Sequence, residues 1–164
     1  MRVIVAAVGR AKAGRDGAAP EAVLFENYAR RASFDVTLAE VEERRQLPPA
    51  QRMAREGELL LSRVPAQATV VALDRLGKAL SSEELAARLG RWRDSGVADV
   101  AFLIGGADGL DRAVLDRADL ILSFGPMVWP HLLARAMLAE QLWRASAILS
   151  GHPYHRGGAP QPGR

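Results

Sequence analysis

The chain has 164 residues, of which 49% are hydrophobic, so it can bury one sizeable core but hardly two, and we expect a single domain. It contains no cysteine, which excludes disulfides, thiolate metal sites and a cysteine nucleophile and favours a reducing, cytoplasmic compartment. The formal net charge of +3 is shared by many enzymes that never bind a polyanion, and no stretch approaches the roughly twenty apolar residues that a membrane span needs.

The N-terminal half alternates predicted strands with predicted helices. Apolar runs indicate strands, and apolar residues that recur at helical spacing behind a proline indicate helices. In chain order, the predicted elements are a strand over 2–8, a helix over 20–32, a strand over 34–41, a helix after residue 49 and a buried strand over 69–73.

The C-terminal half continues this alternation. Ser81 and Glu84 fit a capping box, in which each side chain accepts from the backbone N–H of the other residue, so a helix is expected to begin there. The predicted elements are this helix, which ends at Ser95-Gly96, then a strand over 100–104, a helix over 111–117, a strand over 120–123 and a helix over 131–149. Strands that alternate with helices predict an α/β fold with a mostly parallel sheet flanked by helices.

Loops that follow three of these strands are expected to form one pocket. The strands concerned are 69–73, 100–104 and 120–123. Ligands in open α/β sheets bind beyond the carboxyl ends of the strands. Gly105 and Gly106 allow backbone amides to approach a ligand, and Gly109 is free to adopt a positive φ. The alternative is that these glycines only make a tight turn.

Short motifs are spread over nearly the whole chain. They are Val5-Ala6-Ala7-Val8-Gly9, Leu73 with Gly77-Lys78, Ile104-Gly105-Gly106-x-x-Gly109-Leu110, Leu122-Ser123 with Trp129-Pro130-His131, Glu140-Gln141-x-Trp143-Arg144-Ala145, and His152-Pro153-Tyr154-His155-Arg156. No single motif is decisive. Their order and spacing together resemble the RlmH family, SPOUT-class methyltransferases of bacterial large-subunit ribosomal RNA.

The resemblance implies an α/β fold whose C-terminal segment is tucked through a loop as a trefoil knot, an exception to the rule that chains avoid knots. It also implies a homodimer, S-adenosyl-L-methionine as the methyl donor and no metal. The implied reaction is methylation of N3 of a pseudouridine in 23S ribosomal RNA within the assembled ribosome. We expect the methyltransferase domain to span 1–156 and residues 157–164, rich in glycine and proline, to form a disordered tail.

The resemblance also assigns residues to the donor site. Carried over position by position, the cofactor contacts are Leu73, Gly105, Phe124, Gly125, Pro126, Met127, Val128 and Trp129. An apolar loop is physically suited to this role, because adenine is flat with apolar faces and backbone groups can satisfy its edge.

The acceptor nitrogen carries a proton that must leave as the methyl arrives, so a general base or a field that favours the anion is expected. By residue type, the candidates are His155 and His152 as base, with the choice between them open, and Arg156 as the group that stabilises negative charge. Candidates for contacts with RNA are Arg135, Arg144, His152 and Tyr154. The alternative for the histidines is that they are exposed tail residues, and scattered arginines are usually a solvated surface.

Two other classes of protein stay open. One is a non-catalytic ribosome-binding protein on the same fold that has lost donor binding. The other is an ordinary doubly wound α/β enzyme that grips a small nucleotide or sugar phosphate at the glycine loop. Asp108 and Asp111 disfavour the second class, since two carboxylates there would repel an anion.

Overall fold

The alternating pattern folds into a parallel sheet covered by helices. The computed structural model describes residues 1–12 and 17–154. In chain order, its elements are β1 (Arg2–Val8), α1 (Pro20–Arg31), β2 (Asp35–Val41), α2 (Pro49–Leu61), β3 (Thr69–Ala79), α3 (Ser82–Asp94), β4 (Asp99–Ile104), α4 (Arg112–Arg117), β5 (Leu120–Ser123) and α5 (His131–Ser150). The predicted alternation is confirmed, and apart from β3 the bounds agree with the predicted ones to within a residue or so.

The strands of the described residues pair in the order β2-β1-β4-β3-β5, and every pair is parallel. Helices α1, α3 and α5 cover one face of the sheet through residues such as Phe25, Leu89 and Leu142. Helices α2 and α4 cover the other face, where Leu60 and Val114 are buried. Because the carboxyl ends of parallel strands meet at one edge of the sheet, the loops that follow them are brought together there.

Strand β3 is longer than the sequence predicts. The apolar run ends at Leu73, and the residues that follow were expected to form a loop. The structure continues β3 to Ala79, with a register shift against β5, so that Leu122 is opposite both Leu73 and Lys78. The extra residues on β3 bulge away from β5, and the strand pairs again beyond them. The hydrophobic pattern did not predict this extension, because the bulged residues are mostly polar.

Gly77 lies at this bulge for a steric reason. A Cβ at Gly77 would lie 2.6 Å from the carbonyl oxygen of Ile121, closer than real Cβ atoms approach backbone. The close approach of β3 and β5 therefore requires glycine at this position.

The predicted capping box at the start of α3 is confirmed. Ser81 is the N-cap, its Oγ accepts from the N–H of Glu84 at 3.1 Å, and the Glu84 carboxylate accepts from the N–H of Ser81 at 2.8 Å. Each contact satisfies a backbone donor that the first helical turn leaves without a partner.

Ser81→Ala should lower the free energy of unfolding by about 1 kcal/mol, because it removes the Oγ acceptor and leaves the Glu84 N–H to solvent. Urea denaturation followed by circular dichroism measures this loss. Ser81→Asp keeps an acceptor at the N-cap and serves as the matched control, with stability close to that of the unchanged protein. Equal losses in both variants would contradict a capping role.

Three further expectations concern a membrane-spanning helix, the C-terminal knot and the C-terminal tail. Within 1–12 and 17–154, no helix is long and apolar enough to cross a membrane. The C-terminal trefoil knot implied by the resemblance stays a prediction. The disordered tail predicted for 157–164 lies outside the described residues.

Candidate functional site

A cavity of about 780 Å³ opens at the bulge of β3 and beyond the carboxyl ends of β4 and β5. Its walls come from the β3 bulge, the loop after β4, the loop after β5 and the start of α5. The lining residues are Leu73, Asp74, Arg75, Leu76, Ile104, Gly105, Gly106, Ala107, Asp108, Gly109, Leu110, Leu122, Phe124, Gly125, Met127, Val128, Trp129, Pro130, His131 and Ala134. The prediction that the segments after residues 73, 104 and 123 share one pocket is confirmed, although the first of them is the bulge of β3 and not a loop after its end.

The glycine loop after β4 is a tight turn. Backbone conformation favours glycine at one of its positions, and close neighbours favour glycine at the other two. Gly109 has φ +91°, the positive value that was expected, and its N–H donates to the carbonyl of Gly106 at 3.1 Å. A Cβ at Gly105 would lie 2.5 Å from the carbonyl oxygen of Gly109. A Cβ at Gly106 would lie 2.9 Å from Oε2 of Glu56. The backbone of the turn therefore leaves no room for a side chain at Gly105, and the carboxyl group of Glu56 occupies the space beside Gly106. Both glycines line the cavity with backbone.

The loop after β5 presents apolar side chains at the cavity. Met127, Val128 and Trp129 are 66%, 85% and 37% exposed. Gly125 has φ +102°, and its N–H donates to Oγ of Ser123 at 3.0 Å, which fixes the exit from the strand. Large apolar side chains this exposed favour a ligand with apolar faces.

The cavity brings together most of the residues expected to contact the cofactor. Those in its lining are Leu73, Gly105, Phe124, Gly125, Met127, Val128 and Trp129. Pro126 belongs to the same loop but is not among the lining residues. The loop has an ordinary trans peptide at every position, Pro126 included.

His131 is a cavity residue that the sequence did not single out as a site residue. It is the first residue of α5 and lines the cavity. Burial and the nearby positive charge of Arg135 lower the pKa of His131, which favours the neutral imidazole. The signal was its position at the end of the apolar loop, where a helix was predicted to begin.

Arg135 is buried, although it was expected at an RNA-contacting surface. It is 2% exposed, and its Nη1 donates to Oε1 of Glu40 at 2.7 Å. Its Nη2 donates to the carbonyls of Val8 and Gly9 at 2.6 and 2.8 Å. A guanidinium engaged in this way ties α5 to the carboxyl end of β1 and is not presented to a phosphate.

The start of the C-terminal tail is packed against α5 by Tyr154. The ring centroids of Tyr154 and Trp143 lie 3.4 Å apart, and the guanidinium of Arg31 lies 3.4 Å from the Trp143 ring centroid. The Tyr154 hydroxyl donates to Oε1 of Glu140 at 2.9 Å, and Arg144 Nε donates to the same oxygen at 3.0 Å. Burial, together with the hydrogen bond to Glu140, raises the pKa of Tyr154.

The predicted RNA-contacting residues near the C-terminus differ in their exposure and in their partners. Tyr154 anchors the tail through its ring and hydroxyl, and Arg144 is paired with Glu140 while its side chain is 28% exposed. His152 is exposed, and its Nδ1 accepts from the N–H of Tyr154 at 3.1 Å. The predicted catalytic residues His155 and Arg156 lie outside the described residues.

A second cavity of about 670 Å³ lies between α1, α3 and α5. It shares Leu122, Phe124 and Gly125 with the first cavity, so the exit from β5 forms a wall of both. Leu24, which is 44% exposed, and Glu140 also line it. The sequence did not indicate this cavity, because its walls come from three helices far apart in the chain.

Glu56 is a buried carboxyl group behind the glycine loop. It lies on α2 and is 7% exposed. Burial raises its pKa, the charges of Asp108 and Glu43 act in the same direction, and the charge of Arg52 opposes them. In the described part of the chain, no group of three or more metal-ligating side chains comes together.

The fold and this cavity define a parallel α/β protein whose cavity is walled by loops at the carboxyl ends of its strands. The sequence profile of a family described as "Predicted SPOUT methyltransferase" matches residues 1–155. A protein of Paramagnetospirillum magneticum named "Ribosomal RNA large subunit methyltransferase H" is 60% identical over 156 residues, which cover 95% of this chain and 99% of the relative. A protein of the same name from Rhodospirillum centenum is 54% identical over equal coverage.

This chain belongs to the SPOUT methyltransferase family. Among solved structures, it is similar to "a probable methylase family protein" from Haemophilus influenzae Rd KW20, with a TM-score of 0.50 and 8% identity. The match covers 91% of this chain and 66% of that one, and it supports the fold alone. The predicted family, the predicted α/β fold and the predicted methyltransferase class are confirmed.

Proposed function

We propose that this protein transfers a methyl group from S-adenosyl-L-methionine to N3 of a pseudouridine in large-subunit ribosomal RNA within the assembled ribosome. The observation that carries the proposal is the shared cavity of the glycine loop and the apolar loop, in a chain of this family. The names of the relatives supply the substrate class, since they are large-subunit ribosomal RNA methyltransferases. A ribosomal substrate assigns the protein to the cytoplasm.

The cavity fits the donor in size and in chemistry. Ligand pockets commonly have volumes of about 300 to 1,000 Å³ with mostly apolar walls, and the cavity of about 780 Å³ falls in this range. We assign the donor's contacts to Leu73, Gly105 and the loop over 124–129, including Pro126. Exposed Met127, Val128 and Trp129 supply apolar faces for the adenine, and the bare backbone of Gly105 allows close approach.

The donor supplies an already activated methyl group, so the main task of the protein is to hold the reactants in line. The residues around the cavity can do this because their loops are fixed. The Gly106–Gly109 turn, the Ser123–Gly125 hydrogen bond and the β3 bulge each hold one wall.

The acceptor nitrogen must lose a proton, and we assign this step to the C-terminal tail. His155 is the proposed base and Arg156 the proposed partner of negative charge. Tyr154, packed on Trp143 and bonded to Glu140, directs the tail as it leaves α5. Exposed His152 and partly exposed Arg144 are the proposed contacts with RNA.

We propose a homodimer that joins through the face of α1, α3 and α5. Val23 and Leu24 on α1 are 54% and 44% exposed, and the second cavity opens beside them. The tail begins on this same face, because Tyr154 packs against Trp143. In a dimer of this kind the tail of one protomer reaches the donor cavity of its partner.

The test begins with calorimetry of the full chain and S-adenosyl-L-methionine, followed by transfer of labelled methyl to ribosomes from a strain that lacks the modification. We expect binding and stoichiometric methylation. Binding without transfer would overturn the catalytic proposal, and no binding would favour a non-catalytic ribosome-binding protein.

His155→Ala and Arg156→Ala should abolish transfer and leave donor binding unchanged. Full activity in both variants would refute the tail assignment.

A further inference from the structure

Glu56 is a buried carboxyl group that the proposed reaction does not use. Its Oε2 atom has no hydrogen-bond partner among the described residues. Buried polar atoms without a partner are rare in folded proteins, and each asks for an explanation. The position of Glu56 behind the glycine loop supplies one.

Glu56 packs against the side of Gly106 that faces away from the cavity. A Cβ on Gly106 would lie 2.9 Å from Oε2 of Glu56 and 3.0 Å from Cγ1 of Val8. Gly106 lines the cavity, whereas Glu56 does not. The Gly106 backbone therefore lies between the cavity and the carboxyl group, and Glu56 fills the space that a side chain would take.

Arg52, one turn earlier on α2, holds another part of the same loop. Its Nη2 and Nε donate to Oδ2 of Asp108 at 2.6 and 2.8 Å. The positive charge of Arg52 also acts to lower the pKa of Glu56, so one guanidinium acts on both carboxyl groups. Asp111 lies near Gly57, where an added Cβ would be 2.9 Å from its own Cβ, and it is already engaged as the N-cap of α4 through the N–H of Ala113.

We propose that Glu56 is a positioning residue for the methyl donor: its buried side chain supports Gly106 from behind and leaves Arg52 to Asp108, so the glycine loop keeps its donor-binding shape. When Glu56 ionises, its carboxylate competes with Asp108 for Arg52, and the loop loses this attachment. This inference rests on the proposed function, because the donor is the ligand assigned to the cavity.

The charges around Glu56 determine whether donor affinity should rise or fall with pH. Burial raises the pKa of Glu56, so the neutral form persists above the ordinary carboxyl value. Hydrogen bonds from Arg45 lower the pKa of Glu43 to about 2, so Glu43 stays ionised and repels a charge on Glu56. Donor binding should therefore be strongest below the raised pKa of Glu56 and should weaken as the pH rises through it.

The experiment measures the dissociation constant of S-adenosyl-L-methionine by calorimetry on the full chain, in steps from about pH 5 to about pH 8. Glu56→Gln keeps the shape of the neutral acid. The affinity of Glu56→Gln relative to the unchanged protein should rise with pH, by at most about tenfold per pH unit. This ratio cancels the titration of the donor and of His131, which are common to both proteins.

Two more variants complete the design. Glu56→Ala removes the support and should bind the donor about tenfold more weakly than Glu56→Gln at every pH, because neither variant ionises at this position. Glu58→Gln is the matched control, because Glu58 is on the same helix, is 66% exposed and pairs with Arg55. It should follow the unchanged protein throughout. Thermal melting confirms that each variant is folded before its affinity is compared.

Identical pH profiles for Glu56→Gln and the unchanged protein would overturn the inference. So would a ratio that falls with pH, since that result means the ionised carboxylate attracts the cationic donor instead of releasing the loop. If the unchanged protein fails to bind the donor at every pH, the proposed function fails, and this outcome is distinct from a failure of the role of Glu56.

Discussion

Arg135→Met should lower the free energy of unfolding by about 3 kcal/mol, a loss typical of breaking a buried ion pair. Methionine preserves much of the apolar volume but donates no hydrogen bond. The Glu40 carboxylate and the carbonyls of Val8 and Gly9 would each lose their contact with the guanidinium. Urea denaturation of the full chain measures the loss, with the slope of the transition checked for two-state behaviour.

Arg112→Met is the matched control for this prediction. The Arg112 side chain is 84% exposed and pairs with Asp116 on the surface of α4, so its loss should cost no more than about 0.5 kcal/mol. Arg135→Lys should recover only part of the stability, because one ammonium group does not reproduce donation from two separate nitrogens. Equal losses for Arg135→Met and Arg112→Met would show that Arg135 is not the tie between α5 and β1.

The sequence was sufficient for features that depend on neighbours along the chain. Strand β1 and strand β5 begin and end where their apolar runs do, because both are buried in a parallel sheet. The capping box at Ser81 and Glu84 is a local pattern with a local structure. The cavity followed from one general rule, that parallel strands end at the same edge of a sheet.

Features that depend on distant contacts were not predictable in this way. In the sequence, Arg135 resembles any other helical arginine. The groups that bury it, Glu40 and the end of β1, are about a hundred residues away in the chain. Glu56 and Glu58 belong to one charged segment, and only the fold makes the first buried and the second exposed. Residues two apart point to different sides of a helix, and the side of α2 that carries Glu56 packs beside Gly106.

For the C-terminal tail, the sequence indicated the motif but not the contacts that its residues make, because those contacts depend on the fold. The resemblance pointed to the tail motif as a unit, and Tyr154 is indeed held in a defined place. Its contacts, however, are with Trp143 and Glu140 of its own chain, so its described role is to anchor the tail. Residue type suggested a contact with RNA, which stays a prediction, and the aromatic partner that the structure shows for Tyr154 is Trp143.

Gly105→Ala should abolish measurable binding of S-adenosyl-L-methionine, with a loss of at least about a hundredfold in affinity. The added Cβ would lie 2.5 Å from the carbonyl oxygen and 2.7 Å from the carbonyl carbon of Gly109. Both atoms are backbone, so the turn must open, and the wall that Gly105 contributes to the cavity moves with it. Calorimetry with the donor measures the loss in affinity, and thermal melting measures any accompanying loss of stability.

Gly96→Ala separates a local effect on the donor cavity from general destabilisation. Gly96 has φ +85° after the end of α3, so alanine is strained there, by about 1 kcal/mol. Nothing lies within 4 Å of the added Cβ, and Gly96 does not line the cavity. Gly96→Ala should therefore lose stability and keep the donor affinity of the unchanged protein. If Gly105→Ala also keeps that affinity, the glycine loop does not shape the donor site, because a turn that has been forced open would still be binding the same ligand equally well.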